Sequence, residues 1–156
     1  MTPRAAEAPV LERRRLTVTG VVQGVGFRPF VARLAGELDL AGFVGNDSTG
    51  VFAEVEGPQD LLDEFAARLV VDAPPLAAIG DVAWRRLDVS GRSGFTIVES
   101  VAGGPSLDRV AIPPDVAVCD ACLAEVLDPA DRRYRYPFAN CTDCGPRFTI
   151  IRDLPY

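Results

Sequence analysis

Three glycines within seven residues, followed by an arginine, are the first residues in this sequence whose types and spacing could do chemistry. The run is G-V-V-Q-G-V-G-F-R, from Gly20 to Arg28. Glycines at this density allow backbone N–H groups to turn inward and approach a ligand closely. A helix beginning here would add unpaired N–H groups and the positive end of its dipole. Because a guanidinium can bind two phosphate oxygens at once, the segment predicts a phosphate-binding loop.

The spacing of these glycines matches neither of two common phosphate-binding motifs. The P-loop, G-x-x-x-x-G-K-[ST], needs a lysine, and all 16 basic residues of this chain are arginine. The dinucleotide motif needs G-x-G-x-x-G, which is also absent. A glycine-rich connection between a strand and a helix can also be a tight turn without a ligand. The residues alone leave both interpretations open.

Four cysteines form the second chemically capable group. Cys119 and Cys122 lie in C-D-A-C, and eighteen residues later Cys141 and Cys144 lie in C-T-D-C. Two C-x-x-C pairs at this spacing are typical of a zinc ribbon. Four thiolates complete a tetrahedral site and leave no position for a catalytic water, so the pattern predicts structural zinc. Two disulfides or a redox C-x-x-C are the alternatives, and a cytosolic chain favours them less.

The residues around these groups predict the elements that position them. Residues 16–22 alternate as a half-buried strand, and apolar spacing indicates helices within 30–38 and 61–70. Short strands are expected at 41–45, 51–55, 79–89 and 94–98, with a hairpin turn at 46–50. This order predicts an α+β fold of the ferredoxin-like βαββαβ type with an additional edge strand. Its sheet would be antiparallel, with both helices on one face.

The composition divides the chain into four parts. Residues 1–14 are expected to be a flexible tail, residues 15–100 the βαββαβ domain, residues 101–115 a linker rich in glycine and proline, and residues 116–156 the cysteine module. No apolar run in the sequence is long enough for a membrane span. The first fifteen residues also have no apolar stretch of the kind found in secretory signals. Both features predict a cytoplasmic protein.

Charge and missing residue types limit the possible mechanisms. The net charge of −6 argues against a general nucleic-acid binder. Without histidine or lysine, neither an imidazole base nor a lysine nucleophile is available. Any chemistry must therefore depend on arginine, asparagine, carboxylates, hydroxyls, thiolates and backbone amides.

The glycine-rich run V-V-Q-G-V-G-F-R resembles the signature of the acylphosphatases, small enzymes that hydrolyse acyl phosphates, and G-F-V-G-N-D-S-T-G resembles their second element. The resemblance implies that Arg28 clamps the phosphoryl oxygens and that Asn46 orients the attacking water. Plainer alternatives are a surface ion pair for Arg28 and a turn-forming role for Asn46. The family usually carries aspartate where Thr49 stands. The implied phosphate-binding set is Gln23, Gly24, Val25, Gly26, Phe27 and Arg28.

The cysteine segment, from C-D-A-C through R-R-Y-R-Y-P-F to C-T-D-C-G-P-R-F, resembles the zinc segment of the HypF carbamoyltransferases, which mature nickel–iron hydrogenases. That resemblance implies cleavage of carbamoyl phosphate by the acylphosphatase domain. In the family, ATP then adenylates the carbamate in a downstream domain, and the carbamoyl group passes to a partner called HypE. The chain would be an N-terminal fragment that cannot complete this transfer. Family members carry further C-x-x-C pairs, so the four cysteines either close one zinc site, which we favour, or share ligands with later cysteines.

Three functions therefore compete. The first is hydrolysis of carbamoyl phosphate or a related acyl phosphate, and the second is a non-catalytic, zinc-stabilised docking module. The third is a zinc ribbon that touches RNA through the arginines and aromatics of residues 132–136, together with Arg147 and Phe148. The presence of both Arg28 and Asn46 favours the first function, while the acidic net charge counts against the third.

Overall fold

The chain forms five strands and three helices in residues 10–101, 117–141 and 144, which are the residues described by this computed structural model. The predicted βαββαβ order with an added strand is confirmed. The elements are β1 (Leu11–Val21), α1 (Phe27–Glu37), β2 (Ala41–Asp47), β3 (Gly50–Pro58), α2 (Gln59–Val71), β4 (Ala78–Leu87), β5 (Phe95–Ile97) and α3 (Asp120–Leu127).

The five strands form one sheet in the order β4-β1-β3-β2-β5. The pairs β4–β1, β1–β3 and β3–β2 are antiparallel, but β5 runs parallel to β2, pairing Gly42–Val44 with residues 95–97. The expectation of a fully antiparallel sheet was therefore wrong at this edge. The reason is that the chain leaves β4 at the end of the sheet where β2 begins, so β5 must run in the direction of β2.

The crossing from β4 to β5 is held by the carboxylate of Glu56 on β3. It accepts hydrogen bonds from the backbone N–H of Ser90 at 2.8 Å, the Ser90 hydroxyl at 2.7 Å and the N–H of Gly91 at 2.7 Å. Burial by itself raises the pKa of Glu56, but these hydrogen bonds and the charge of Arg13 lower the pKa below its ordinary value. The ionised carboxylate thus fixes a loop that must turn between two edges of the sheet.

Both helices cover the same face of the sheet, as the sequence predicted. Alternate residues of β1 and β3, such as Leu16 and Val55, are fully buried in one cluster with the apolar faces of α1 and α2. Phe65 of α2 meets the ring of Trp84 on β4 edge-on, with 6.4 Å between ring centroids. The core therefore lies between the sheet and the two helices, and it fixes where β1 and α1 meet.

The strand β1 begins at Leu11, five residues before its predicted start, so residues 11–14 do not belong to a tail. This stretch is charged, which hides its alternation, but its charges are matched on neighbouring elements. Arg13 and Arg15 both pair with Glu54 of β3, while Arg14 pairs with Asp63 of α2 at 2.6 Å. Residues 1–9 of the predicted tail and all but Val101 of the predicted linker lie outside the described residues.

The helix ends agree with the prolines in the sequence. α2 begins directly after Pro58 and ends before Pro74, and Pro29 falls in the first turn of α1, where its missing N–H removes no intrahelical bond. None of the three helices in the described part of the chain has the length and apolar character needed to cross a bilayer.

Candidate functional site

The glycine-rich run forms the connection between β1 and α1, as the sequence predicted. Gly24 and Gly26 have φ angles of +70° and +76°, a left-handed conformation that residues with a side chain rarely adopt. Gly26 is the N-cap of α1, and its carbonyl accepts the N–H of Phe30 at 3.1 Å. The N–H groups of the first helical turn have no intrahelical acceptor, so this turn is suited to an anion.

The loop is rigidly anchored although it lacks regular structure. Val22, Val25 and Phe27 are each only about 1% exposed and belong to the main core, while Gly24 and Gly26 between them are half-buried. The side chains of the loop therefore point into the protein, and Gly24 and Gly26 are its more exposed positions. This arrangement leaves backbone groups at the surface on a fixed support.

Gln23 binds the loop to the β2–β3 hairpin. Its side chain is 1% exposed, and its amide nitrogen donates hydrogen bonds to the carbonyl oxygens of Asp47 and Gly50, both at 2.9 Å. These two carbonyls lie at the two ends of the hairpin turn. Because the side-chain amide is committed to the hairpin, the backbone of Gln23 is the part available for the phosphate-binding role expected from the sequence.

Asn46 lies within β2, opposite Val51 of β3, and not in the turn itself. Residues directly opposite in an antiparallel pair share a face, so the fully buried Asn46 side chain points to the side that the helices cover. The alternative role of Asn46 as a turn former was wrong, because the strand pairing continues through Asp47 and Gly50. Its backbone carbonyl accepts the N–H of Val101 at 2.9 Å.

Asp47, and not Asn46, is the residue whose side chain closes the hairpin turn. Its carboxylate accepts hydrogen bonds from the N–H of Thr49 at 2.7 Å, the Thr49 hydroxyl at 2.6 Å and the N–H of Gly50 at 3.2 Å. Gly50 has a φ of +147°, and a Cβ there would lie 2.1 Å from the carbonyl oxygen of Val18. Thr49 at the position where acylphosphatases usually carry aspartate therefore leaves the turn intact.

Arg28 is the second residue of α1 and is half-buried. Its Nη1 donates to the hydroxyl of Ser100 at 3.3 Å, across 72 positions of sequence. The segment after β5 continues beside β2, since the N–H of Val98 donates to the carbonyl of Val44 at 2.8 Å. Two adjacent residues of this segment therefore contact the two candidate catalytic residues. The Ser100 hydroxyl contacts Arg28, and the Val101 N–H contacts the carbonyl of Asn46. Sequence reasoning missed Ser100, because no motif or periodicity marks it.

The four cysteines lie together, with all four sulfurs within 4.8 Å of one another. The Sγ atoms of Cys119 and Cys141 are 3.5 Å apart, and those of Cys122 and Cys144 are 3.9 Å apart. Tetrahedral bonds of about 2.3 Å to zinc would separate sulfurs by about 3.8 Å, which fits these distances. No disulfide joins these four cysteines, because an S–S bond requires about 2.05 Å.

The first C-x-x-C pair is positioned by α3. Cys119 is the N-cap of this helix, with its carbonyl accepting the N–H of Leu123 at 2.8 Å, and Cys122 lies in the first turn, fully buried. Burial raises the pKa of the Cys122 thiol. Burial would also raise the pKa of Cys144, but hydrogen bonds from the backbone of Cys141 and Cys119 and from neighbouring thiols lower it to about 7. Binding of a metal ion here would require the thiols to lose their protons, because the thiolate is the ligand.

The arginine and aromatic segment of the module is partly exposed. Arg133 pairs with Glu125 of α3, whereas Tyr134, Tyr136 and Phe138 are 44%, 54% and 68% exposed. Tyr136 and Phe138 meet edge-on with ring centroids 5.8 Å apart. The other two residues of the RNA-binding alternative, Arg147 and Phe148, lie outside the described residues.

Comparison with known protein families gives two matches along the chain. The acylphosphatase family model matches residues 14–97, which is more than half of the chain, and the HypF finger model matches residues 118–151. The two matched segments contain the glycine loop with the hairpin and the four cysteines, respectively.

Curated relatives of two kinds are similar to the chain. Carbamoyltransferase HypF2 of Cupriavidus necator is 50% identical over the whole chain, which covers 19% of that relative. Carbamoyltransferase HypF of Rhizobium leguminosarum is likewise 50% identical, and the chain covers 20% of it. An acylphosphatase of Thermotoga petrophila is 38% identical over 53% of the chain and 92% of that relative. The chain thus spans about a fifth of the length of the carbamoyltransferases that it matches.

Two solved structures show the same division. A crystal structure of full-length HypF in a phosphate- and nucleotide-bound form is 44% identical, with a TM-score of 0.88 over 98% of this chain and 20% of that one. A crystal structure of acylphosphatase from Bacillus subtilis is 36% identical, with a TM-score of 0.52 over 57% of this chain and 99% of that one. The first likeness spans both the sheet domain and the cysteine module.

Proposed function

Because this chain belongs to the acylphosphatase family, we propose that it hydrolyses acyl phosphates, with carbamoyl phosphate as the substrate. The observation that carries the proposal is the link between the two candidate catalytic residues. Arg28 and Asn46 come from different elements and contact adjacent residues, Ser100 and Val101. The choice of carbamoyl phosphate rests on the carbamoyltransferase relatives, which are 50% identical to the whole chain.

The reaction we propose is attack of water on the phosphorus atom of the substrate. A bond forms between the water oxygen and phosphorus, the bond from phosphorus to the acyl oxygen breaks, and the products are carbamate and inorganic phosphate. Arg28 would bind two phosphoryl oxygens through its planar fork, and the N–H groups of residues 23–27 would bind the remaining charge. Gly24 and Gly26, with their positive φ angles, allow that close approach.

Asn46 would orient the attacking water through its side-chain amide. The transition state of phosphoryl transfer is loose, so positioning and charge stabilisation supply most of the catalysis and no strong base is needed. A substrate oxygen would accept the proton that the water loses. This mechanism suits a chain without histidine or lysine.

The cysteine module would hold one zinc ion in a structural role. Cys119, Cys122, Cys141 and Cys144 offer four thiolates at tetrahedral separations, which leaves no coordination position for water or substrate. We therefore favour a single site built from these four residues. Zinc would stabilise a module that buries few apolar side chains among its described residues, 117–141 and 144. A site of four thiolates needs reduced cysteines, and thiols stay reduced in the cytoplasm, where we place the protein.

We assign the later steps of carbamoyl transfer to parts of the carbamoyltransferases that these 156 residues do not match. Activation of the carbamate with ATP and delivery of the carbamoyl group to a HypE-type partner, for the cyanide ligand of hydrogenases, would need parts beyond the fifth of the carbamoyltransferases that the chain spans. The products that we expect from the site in these 156 residues are carbamate and inorganic phosphate. A specific observation favours a second role as a docking module, namely the exposed rings of Tyr136 and Phe138.

The test is hydrolysis of carbamoyl phosphate and benzoyl phosphate by the zinc-loaded chain, with Arg28→Ala and Asn46→Ala beside it. We expect each substitution to lower kcat/KM by about 100- to 1,000-fold, the usual effect of removing one group that stabilises a transition state. Arg33→Ala is the matched control, because Arg33 lies on the same helix with a side chain that is 69% exposed. Equal rates in all four folded proteins would refute the hydrolase proposal and leave the docking role.

A further inference from the structure

The four residues that follow β5 are held in place by β2. The N–H of Val98 donates to the carbonyl of Val44, and three residues later the N–H of Val101 donates to the carbonyl of Asn46. Ser100 lies between these two anchored positions and is half-buried. Its hydroxyl is therefore fixed relative to β2 by backbone bonds that do not depend on the serine side chain.

We propose that Ser100 is a positioning residue that orients the guanidinium of Arg28 for the phosphoryl group, an inference that rests on the proposed function. The Ser100 hydroxyl accepts a hydrogen bond from Nη1 of Arg28 at 3.3 Å. Arginine has a long side chain with many rotamers, so one fixed acceptor restricts where the remaining donors of the fork point. The segment that carries this hydroxyl is bound through the N–H of Val101 to the carbonyl of Asn46. Ser100 therefore positions Arg28 relative to Asn46, the residue that would hold the water.

The chemistry of a hydroxyl suits this position better than that of a carboxylate. A neutral acceptor occupies one of the five N–H donors of Arg28 and places no negative charge of its own beside the guanidinium. A carboxylate at the same place would form an ion pair with the guanidinium and compete with the substrate for it. Ser100 would thus hold Arg28 without itself competing with the substrate for the positive charge.

The proposal predicts distinct results for three substitutions in the zinc-loaded chain. Ser100→Ala should raise both the KM for benzoyl phosphate and the dissociation constant of inorganic phosphate by about three- to tenfold, the range expected for one modest hydrogen bond. Ser100→Thr keeps the hydroxyl and should stay within about twofold of the unmodified chain. Ser100→Asp should weaken phosphate binding more than Ser100→Ala does. Ser93→Ala, at an exposed serine in the β4–β5 loop, is the matched control.

A double-mutant cycle separates positioning of Arg28 from a general structural effect. If Ser100 acts through Arg28, then Ser100→Ala should have no further effect on kcat/KM in the Arg28→Ala background. An equal loss in both backgrounds, or an Ser100→Ala protein that binds phosphate and substrate as the unmodified chain does, would overturn the proposal.

The design distinguishes this failure from failure of the hydrolase proposal. Titration with inorganic phosphate reports on Arg28 even in a chain that does not turn over. A chain that binds phosphate but hydrolyses neither acyl phosphate would refute the hydrolase function alone. A chain that hydrolyses them with no dependence on position 100 would refute the role of Ser100 alone.

Discussion

Replacing Gln23 with methionine should destabilise the sheet domain although it hardly changes the size of the side chain. The amide nitrogen of Gln23 donates to the carbonyls of Asp47 and Gly50, and the side chain is almost fully buried. Methionine has a similar length and fills a comparable volume, but it cannot donate a hydrogen bond. The substitution therefore removes the connection between the glycine loop and the hairpin with little change in packing.

The magnitude follows from the two bonds. Each hydrogen bond between neutral groups contributes about 0.5–1.5 kcal/mol, so the loss of both removes about 1–3 kcal/mol. The bond to Gly50 is buried, and a carbonyl left there without its donor adds part of a desolvation cost of about 1–3 kcal/mol. We expect a total loss of about 2–4 kcal/mol in the free energy of unfolding.

Trp84 provides the assay, because it is the only tryptophan in the chain and packs against Phe65 in the core of this domain. Urea unfolding followed by its fluorescence should show a lower midpoint with an unchanged slope. The control is Gln59→Met, at an exposed glutamine that begins α2, which should stay within about 0.5 kcal/mol of the unmodified chain. A Gln23→Met protein as stable as this control would refute the bridging role of the amide.

Two further predictions concern a charge and the metal. Glu56→Gln should cost about 1–3 kcal/mol at pH 7, with Glu64→Gln as the exposed control. Because folding lowers the pKa of Glu56, its ionised form stabilises the fold above the unfolded pKa of about 4.3, and the difference in urea stability should shrink as pH falls through the lowered folded pKa. The chain should bind about one zinc ion, and Cys122→Ser should lose most of it while exposed Leu123→Ser keeps it. The zinc content is measured as the metal released when the thiols are chemically modified. Full zinc content in Cys122→Ser would contradict the four-thiolate site.

The order of strands and helices could be predicted because apolar alternation and prolines mark it locally. The start of β1 could not, because the run from Glu12 to Arg15 is charged at every position. The ion pairs of Arg13 and Arg15 with Glu54 make these residues compatible with a strand, and that partner lies about 40 positions away. The parallel pairing of β5 was missed for a similar reason, since strand direction depends on where the preceding loop crosses the sheet.

The candidate site shows the same limit. The residue types of the glycine loop, Arg28 and Asn46 could be identified from motif spacing, and the loop does lie between a strand and a helix. The function of the Gln23 side chain could not be predicted, because its acceptors are backbone carbonyls that carry no sequence signature. Ser100 was missed because its contact with Arg28 forms only when the segment after β5 aligns with β2.

The two contacts that sequence reasoning missed explain how a site without a general base could be held accurately enough. When catalysis depends on positioning, a displacement of about 1 Å can cost on the order of 100-fold in rate. Gln23 ties the loop to the hairpin, and Ser100 ties Arg28 to the segment bound to Asn46. The two links are independent of each other, and each joins the half of the site that would bind phosphate to the half that would hold water. Loss of either link should therefore reduce activity before the fold is lost, and loss of both should reduce it by about the product of the two single effects.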